Sequence, residues 1–465
     1  MDELWRGAWH LHDASPLERF MARHERGERV LVASVGGSMT AGVGCIDGES
    51  IHQLCAWPNR VAEWFKRQPD TSGQVAHRNL ARGGVQTTSF LPTAPFVLGE
   101  LMQEERVPAE GVLLFLDYSV NDAYTIGGVH PRLADRGTET AAAVHHAAVA
   151  LEQLIRVLSA TNPSPVPVAM VSILHACPPC HWLHEGYRAV LAHYRVPLVD
   201  FTMQTARSRP GDSVSALQLS PPASPFWPHD CRGCSFAQRA HPNASWHALY
   251  AEAVTWGLSH VAARRNRSAG AVDSATPAEV PLHALTPLAR ADELSRLRVC
   301  SRGEATIHNA YDAQHTTSAV TCVEAEGCVL REDRPGKPGW ELFREGARLS
   351  FVASFGSKPR LLLSYLQSYE GMGEATMTIG RVRYALNGTH ALRTSQVSTE
   401  FFLADGTLNQ HDGIDNVPEA HLTGRPLGNA GAFGFGLKPN SSNVPVLIQL
   451  RSSVGRFKVV SLVSC

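Results

Sequence analysis

Residues 29–44, RVLVASVGGSMTAGVG, decide how the rest of the chain is read. An apolar, largely β-branched run (Val30, Leu31, Val32, Val35) meets paired glycines, a serine and further small residues. Glycine is used where a chain turns sharply or where another backbone or a ligand comes close. The stretch therefore reads as a buried strand ending in a tight turn that presents Ser38. Alone it is equally a plain turn, a phosphate cradle or the seat of a nucleophile. A phosphate cradle of the P-loop kind needs a Lys-Ser/Thr ending, which is missing here.

Outward from this turn, strand-like and helix-like segments alternate up to about residue 260. The strand candidates RVLVASVG (29–36), GVLLFLDYSV (111–120), VPVAMVSIL (166–174) and VPLVDF (196–201) are near-continuous apolar runs. Such runs occur when both faces of a parallel sheet are covered. Between and after them lie the helical candidates WPNRVAEWFKRQ (57–68), TETAAAVHHAAVALEQLIRVLSA (138–160), EGYRAVLAHYR (185–195) and WHALYAEAVTWGLSHVAARR (246–265). The alternation predicts an α/β, doubly wound parallel sheet. In such sheets functional groups gather at the carboxyl ends of the strands, where Ser38 lies.

At 465 residues the chain is long enough for two domains, and 44% hydrophobic with 18% charged residues describes a folded globular protein. The formal net charge of −1 argues against a nucleic-acid partner or a polybasic membrane patch. No apolar run approaches the roughly 20 residues of a membrane-spanning helix, so no membrane span is expected. The segment 264–298 is rich in Ala, Pro and Ser and reads as a linker. Beyond it, short strand signals such as RLSFVASF (348–355), RLLLSYLQSY (360–369), ATMTIGRVRYAL (375–386), VPVLIQLRSS (444–453) and RFKVVSLVS (456–464) predict a β-sandwich or jelly roll. The expected organisation is an N-terminal extension (1–27), an α/β domain (28–263), the linker (264–298) and a β-sandwich accessory domain (299–465).

Three later turns answer the first. RNLARGGVQTTSF (78–90) carries paired glycines followed by small hydroxyl residues; VLLFLDYSVNDAY (112–124) ends a buried run in Val-Asn-Asp; QRAHPNASWHALYAEAV (238–254) sets His241 and Pro242 ahead of a helix. A serine, a glycine, an asparagine and a histidine are what acyl transfer from serine needs: a nucleophile, a base, and N–H donors for the oxyanion. Each also has a plainer reading, Ser38 as a turn serine and Asn121 as a turn cap. Asp122 reads as a cap for the following helix and Asp117 as a buried partner of backbone N–H groups. His247, one turn beyond His241, competes with it for the base.

Taken together, these four blocks resemble those of the SGNH hydrolases, the GDSL-type esterases and lipases, over about residues 28–260. The resemblance implies a flavodoxin-like α/β/α domain in which Ser38 of Gly36-Gly37-Ser38 is the nucleophile. It implies an oxyanion hole built from the N–H of Ser38, the N–H of Gly84 (with Gly83 the other register) and the amide of Asn121. His241 of Gln238-Arg239-Ala240-His241-Pro242 would be the general base, and no metal or organic cofactor is called for. Two positions depart from the pattern. Position 37 is Gly where the family usually has Asp, and position 238 is Gln where the family has the acid that orients the histidine. A Gln carbonyl can hold a histidine tautomer but lacks the charge that stabilises imidazolium, a loss worth about 10⁴ in rate where measured in serine proteases. Gln238 itself, or Asp230 upstream, is the candidate orienting residue.

Ten cysteines and sequons at Asn243, Asn266, Asn387 and Asn440 fit a disulfide-bonded glycoprotein. A secreted or endomembrane-lumen location follows, although the N-terminus MDELWRGAWHLHD lacks the basic and apolar regions of a signal peptide. CPPC (177–180) and CRGC (231–234) leave three readings open: disulfides, a zinc site on Cys177, Cys180, Cys231 and Cys234, or redox thiols. In the C-terminal part, Cys300, Cys322, Cys328 and Cys465 suffice for two bridges. Trp340, Tyr365 and Tyr369 are either a sugar-stacking surface or sandwich core.

The functional expectation is a serine esterase acting on an O-acyl ester, a small molecule or an O-acetylated glycan, through the Ser38–His241 pair. The alternatives are a catalytically weakened relative that binds a glycan or protein, motivated by Gln238, and a thiol–disulfide oxidoreductase using CPPC.

Overall fold

The computed structural model describes residues 5–47, 50–51, 54–68, 74–91, 93–122, 137–160, 169–174, 181–200, 241–267, 306–310, 320–332, 338–357, 359–389, 395–403 and 437–465. The chain divides into two compact units: Met1–Thr87 with Ala94–Ala291, and Thr88–Thr93 with Asp292–Cys465.

The first unit is built on a six-stranded sheet. Its strands are β1 (Trp9–His10), β2 (Val30–Gly36), β5 (Val75–Asn79), β6 (Val112–Asp117), β7 (Ala169–Leu174) and β8 (Leu198–Asp200); β3 (Ile46–Asp47) and β4 (Ser50–Ile51) form a separate small hairpin. The sheet order is β1-β8-β7-β6-β2-β5. Every pair from β5 to β8 is parallel, and β1 joins the far edge antiparallel. Counted along the chain, the parallel strands run second, first, third, fourth, fifth across the sheet, the flavodoxin-like order with its switch point beside the first strand. The expected doubly wound sheet is thus present.

Helices cover this sheet in two packed groups. One comprises α1 (Ser15–Glu25), α3 (Trp57–Lys66) and α7 (Ala244–Arg267); the other comprises α4 (Ala94–Glu104), α5 (Gly137–Ala160) and α6 (His181–His193). A four-residue helix, α2 (Ser38–Ala41), follows β2 directly. All seven residues of β2 and all six of β6 are buried. Val30, Val32, Leu113 and Phe115 face the core shared with α1, α3 and α7, and the intervening residues face the opposite side, as a period of two dictates. Trp57 lies at the middle of this core, edge-on to Phe115 and Tyr250.

The N-terminal extension packs as part of the same unit. Trp9 of β1 is buried and donates from its indole N–H to the Ala253 carbonyl of α7 at 2.8 Å. Gly257, one turn on, opens the surface of α7 to the indole: a Cβ there would stand 1.9 Å from Trp9 Cε2.

The second unit is a sandwich of two antiparallel sheets. One has the order β10 (Val320–Cys322), β13 (Arg348–Ala353), β18 (Val444–Leu450), β15 (Glu374–Ile379), β16 (Val382–Asn387). The other runs β11 (Cys328–Glu332), β12 (Pro338–Leu342), β19 (Phe457–Ser464), β14 (Arg360–Ser368), β17 (Ser395–Leu403), with β9 (Thr306–Asn309) also on β19. β13 and β15 alternate buried and partly exposed residues, so one face of each meets the core. A Cys322–Cys328 disulfide joins β10 of one sheet to β11 of the other, and a Cys45–Cys55 disulfide lies in the first unit. Cys465 is also disulfide-bonded. Cys177, Cys180, Cys231, Cys234 and Cys300 lie outside the described residues.

Trp340 and Tyr365 are core residues: Trp340 meets Phe351 edge-on, Tyr365 stacks on Phe457 and its hydroxyl donates to Glu400. Burial removes both from a sugar-stacking surface, and Tyr369 alone of the three is exposed.

Replacing Gly by Ala inside a helix ordinarily stabilises by about 1 kcal/mol. At Gly257 the sign is expected to reverse, with Gly257→Ala losing about 1–3 kcal/mol because a rigid, buried indole must move. Urea unfolding of the variant measures this; a gain in stability would contradict the packing described.

Candidate active site

The site is assembled where β2 and β6 end together. Their parallel pairing continues to Gly36 opposite Asp117. A Cβ on Gly36 would lie 2.4 Å from the Asp117 carbonyl oxygen, so only glycine allows the two backbones to approach this closely. Past this point the Gly37 N–H donates to the same carbonyl at 3.1 Å, and the chain turns into α2 with Ser38 as its first residue. The Gly42 cap, in the left-handed region at φ 79°, ends α2 after a single turn.

Side chains behind the turn fix it. The Thr40 hydroxyl donates to the buried Asp117 carboxylate, and Asn79 at the end of β5 donates from its amide to the Thr40 carbonyl at 2.8 Å. Asp117 thus meets a hydroxyl through its carboxylate and a backbone N–H through its carbonyl. After β5 the chain continues along β2, with Leu80 N–H on the Ser34 carbonyl and Arg82 N–H on the Gly36 carbonyl. It then forms a turn closed by Val85 N–H on the Arg82 carbonyl at 3.3 Å. Gly84 occupies the third position of that turn at φ 79°, where glycine is needed; Gly83 precedes it and is buried.

After β6, residues 119–122 make a helical turn that carries Asn121, partly exposed, and Asp122, buried. The Asn121 amide lies directly over Gly37. A cap supplied by Asp122 would fall on the residues that follow it, which lie outside the described residues. The Asp122 carboxylate accepts the Thr87 N–H at 3.0 Å, the Thr87 hydroxyl at 2.5 Å and the Tyr187 hydroxyl. Asp122 therefore clamps the turn bearing Asn121 to the segment that follows Gly84, with Tyr187 of α6 as the third arm. Burial pushes the Asp122 carboxyl up to about 6, against the three donors, which pull it down. Burial and the neighbouring Asp122 push Tyr187 well above 10, so it stays a phenol and a donor.

Ser38 and His241 lie 203 residues apart in sequence, and His241 Nε2 is 2.7 Å from Ser38 Oγ. Both are partly exposed. His241 sits just ahead of α7, whose start is held by Asn243: its side-chain oxygen accepts the Trp246 N–H at 3.2 Å, the bond expected of an N-cap. Pro242 between them is buried. His247 belongs to the core instead: it is fully buried, its Nδ1 accepts the Trp57 N–H at 3.3 Å, and its ring packs edge-on to Trp246. The structure thus brings Ser38 and His241 into hydrogen-bond contact and sets Asn121 over the same turn. Gln238 and Asp230 lie outside the described residues. Among the described residues no group of three or more His, Cys, Asp or Glu side chains is arranged to hold a metal ion.

Thr87 and Tyr187 were not singled out in the sequence. Thr87 carries a weak signal, as one of the small hydroxyl residues after the paired glycines. Tyr187 carries none, being an ordinary buried aromatic in a helical pattern.

No protein-family model and no curated protein sequence matches the chain. Solved structures do match its fold. A two-domain esterase (CEX) active on acetylated mannans aligns over 97% of this chain and 95% of its own, at 16% identity and a TM-score of 0.53. The same esterase co-crystallised with mannopentaose aligns over 99% and 98%, at 16% identity and a TM-score of 0.51. An acetyl xylan esterase, AlAXEase, covers 49% of this chain and 99% of its own, at 16% identity and a TM-score of 0.33. The chain has the two-domain fold of the esterase active on acetylated mannans, an SGNH-hydrolase-like parallel α/β unit followed by an antiparallel β-sandwich.

Proposed function

We propose that the protein is a serine ester hydrolase that removes O-acetyl groups from a glycan, with Ser38 as nucleophile and His241 as general base. The observation that carries this reading is the 2.7 Å approach of His241 Nε2 to Ser38 Oγ at the carboxyl end of a flavodoxin-like sheet. A lone serine turn has a plainer explanation. A histidine brought onto that serine from 203 residues away, beside an asparagine amide, has few others.

In this reading His241 Nε2 takes the Ser38 proton as Oγ bonds to the ester carbonyl carbon. The oxyanion that forms is met by the Ser38 N–H, the Gly84 N–H and the Asn121 amide. The imidazolium then protonates the departing alcohol oxygen, leaving an acyl-serine. Water attacks the acyl carbon with its proton going to His241, and the proton returns to Ser38 Oγ as the acid leaves. Gln238 or Asp230 is the proposed partner that orients the His241 ring. The acetylated-glycan substrate is supported by the shared fold with an esterase active on acetylated mannans. Disulfides at Cys45–Cys55 and Cys322–Cys328 support an oxidising, extracytoplasmic compartment, and no described helix is long and apolar enough to cross a membrane.

The test is acetate release from an O-acetylated polysaccharide, alongside p-nitrophenyl acetate turnover. Ser38→Ala is expected to lower kcat by about 10³-fold or more. Equal rates for Ser38→Ala and wild type would overturn the reading; binding of the acetylated glycan without acetate release would favour a glycan-binding protein.

The Asp122 clamp makes a second expectation. An amide in its place loses an acceptor among three buried donors. Asp122→Asn is expected to cost about 1–3 kcal/mol in urea unfolding and to lower kcat by loosening the Asn121 turn from the Thr87 segment. Tyr187→Phe, which removes one donor and leaves the carboxylate with Thr87, is expected to be milder on both measures. An Asp122→Asn variant with unchanged stability and kcat would show that the clamp positions nothing.

A further inference from the structure

Gly37 stands where the resemblance leads one to expect an aspartate, and its backbone gives no reason for glycine. Its φ of −86° and ψ of −160° are open to any residue, in contrast to Gly84 and Gly42. The reason lies in what occupies the side-chain position. A Cβ built on Gly37 would stand 1.9 Å from Asn121 Oδ1, 2.6 Å from Asn121 Cγ and 3.2 Å from Asn121 Nδ2. The Asn121 amide fills the volume a side chain at 37 would take.

We infer that Gly37 is a positioning residue: its missing side chain is the seat that holds the Asn121 amide over the Ser38 turn. This rests on the reading of Ser38 and Asn121 given above. The backbone on both sides of the contact is fixed, so a collision here has one outlet. Gly37 donates to the Asp117 carbonyl at 3.1 Å and its own carbonyl accepts the Ala41 N–H at 3.0 Å. Gly36 before it is wedged against the Asp117 carbonyl. On the other side, the Asp122 N–H is held on the Tyr118 carbonyl at 2.9 Å and the Asp122 carboxylate on Thr87. What can yield is the end of the Asn121 side chain, by rotation about its own bonds. Such a rotation removes the amide from where an oxyanion develops. The effect at 37 is thus transmitted wholly through Asn121, and restoring the family's usual side chain at this position damages the site instead of completing it.

The test is a double-mutant cycle of Gly37→Ala and Asn121→Ala on p-nitrophenyl acetate, with thermal unfolding of each variant. Each single variant is expected to lose about 10²–10³ in kcat with KM little changed, the size of one lost oxyanion donor. The double variant is expected to fall no further than Asn121→Ala, and Gly37→Ala to unfold close to Asn121→Ala, since both remove the same amide from its place. A Gly37→Ala enzyme with wild-type kcat, or losses that multiply in the double variant, would overturn the inference. A crystal structure of Gly37→Ala decides the point without activity: Asn121 Oδ1 is expected at least 3.4 Å from the new methyl by side-chain rotation. An unmoved amide with a shifted 36–38 backbone would overturn it. Absence of Ser38-dependent turnover in wild type would instead count against the esterase reading, leaving the crystallographic result to judge the seat.

Discussion

The site hangs on one backbone contact, the close approach of β2 and β6 where Gly36 meets Asp117. Because no Cβ fits there, the two central strands stay in register to their last residues. The chains leaving them diverge from a common point. One becomes the turn that presents Ser38, the other the turn that presents Asn121. The Gly37 N–H on the Asp117 carbonyl carries the first turn past the end of the sheet, and Thr40 on the Asp117 carboxylate fastens it underneath. This is the switch point of a flavodoxin-like sheet, where the crossovers lead to opposite faces and open a crevice. Remove the Gly36 contact and the serine and the amide lose their common origin.

Around that point the second tier of contacts is polar and buried. Asn79, Thr40 and Asp117 tie the ends of β5, β2 and β6 together, while Asp122, Thr87 and Tyr187 tie the loops beyond them. Such networks are costly when incomplete and confining when satisfied. Ser38 and Asn121 stand on the turns that these networks hold in place, and His241 meets Ser38 there. His241 is delivered separately by the start of α7, whose far side is anchored in the core by Trp246, Tyr250 and the Trp9 indole.

How much of this was legible in the sequence follows from burial and chain separation. β2, β6 and β8 read clearly because parallel strands buried on both faces are continuous apolar runs, and the sequence of β7 has the same apolar texture. β5 escaped notice because it is the sheet edge: Val75 alone of its five residues is buried, and Arg78 is exposed. β1 is two residues long and is defined by its partner β8, not by its own pattern. In α4 Gly99 interrupts an otherwise helical pattern, while Pro95 stands in the first turn, where proline is tolerated. In the second unit, β10 and β11 are short edge strands with a single buried residue between them, Cys328, so they lack the alternation that revealed β13 and β15. The turns of the site stood out because glycine, serine, asparagine and histidine punctuate the ends of apolar runs. The clamp under them did not, since Asp122 meets Thr87 35 residues away and Tyr187 65 residues away. The glycine at 37 read as a loss from a motif; in space it is an exchange of one side chain for another.

The central claim is that Ser38 is a nucleophile activated by His241. Treating the folded protein with a fluorophosphonate and locating the adduct by peptide mass spectrometry tests it most directly, since phosphonylation needs the activated hydroxyl and no particular substrate. The account predicts one adduct, on Ser38, absent from Ser38→Ala and strongly slowed in His241→Ala. Labelling that survives Ser38→Ala, or a wild-type Ser38 that stays unlabelled in the folded protein, would contradict it.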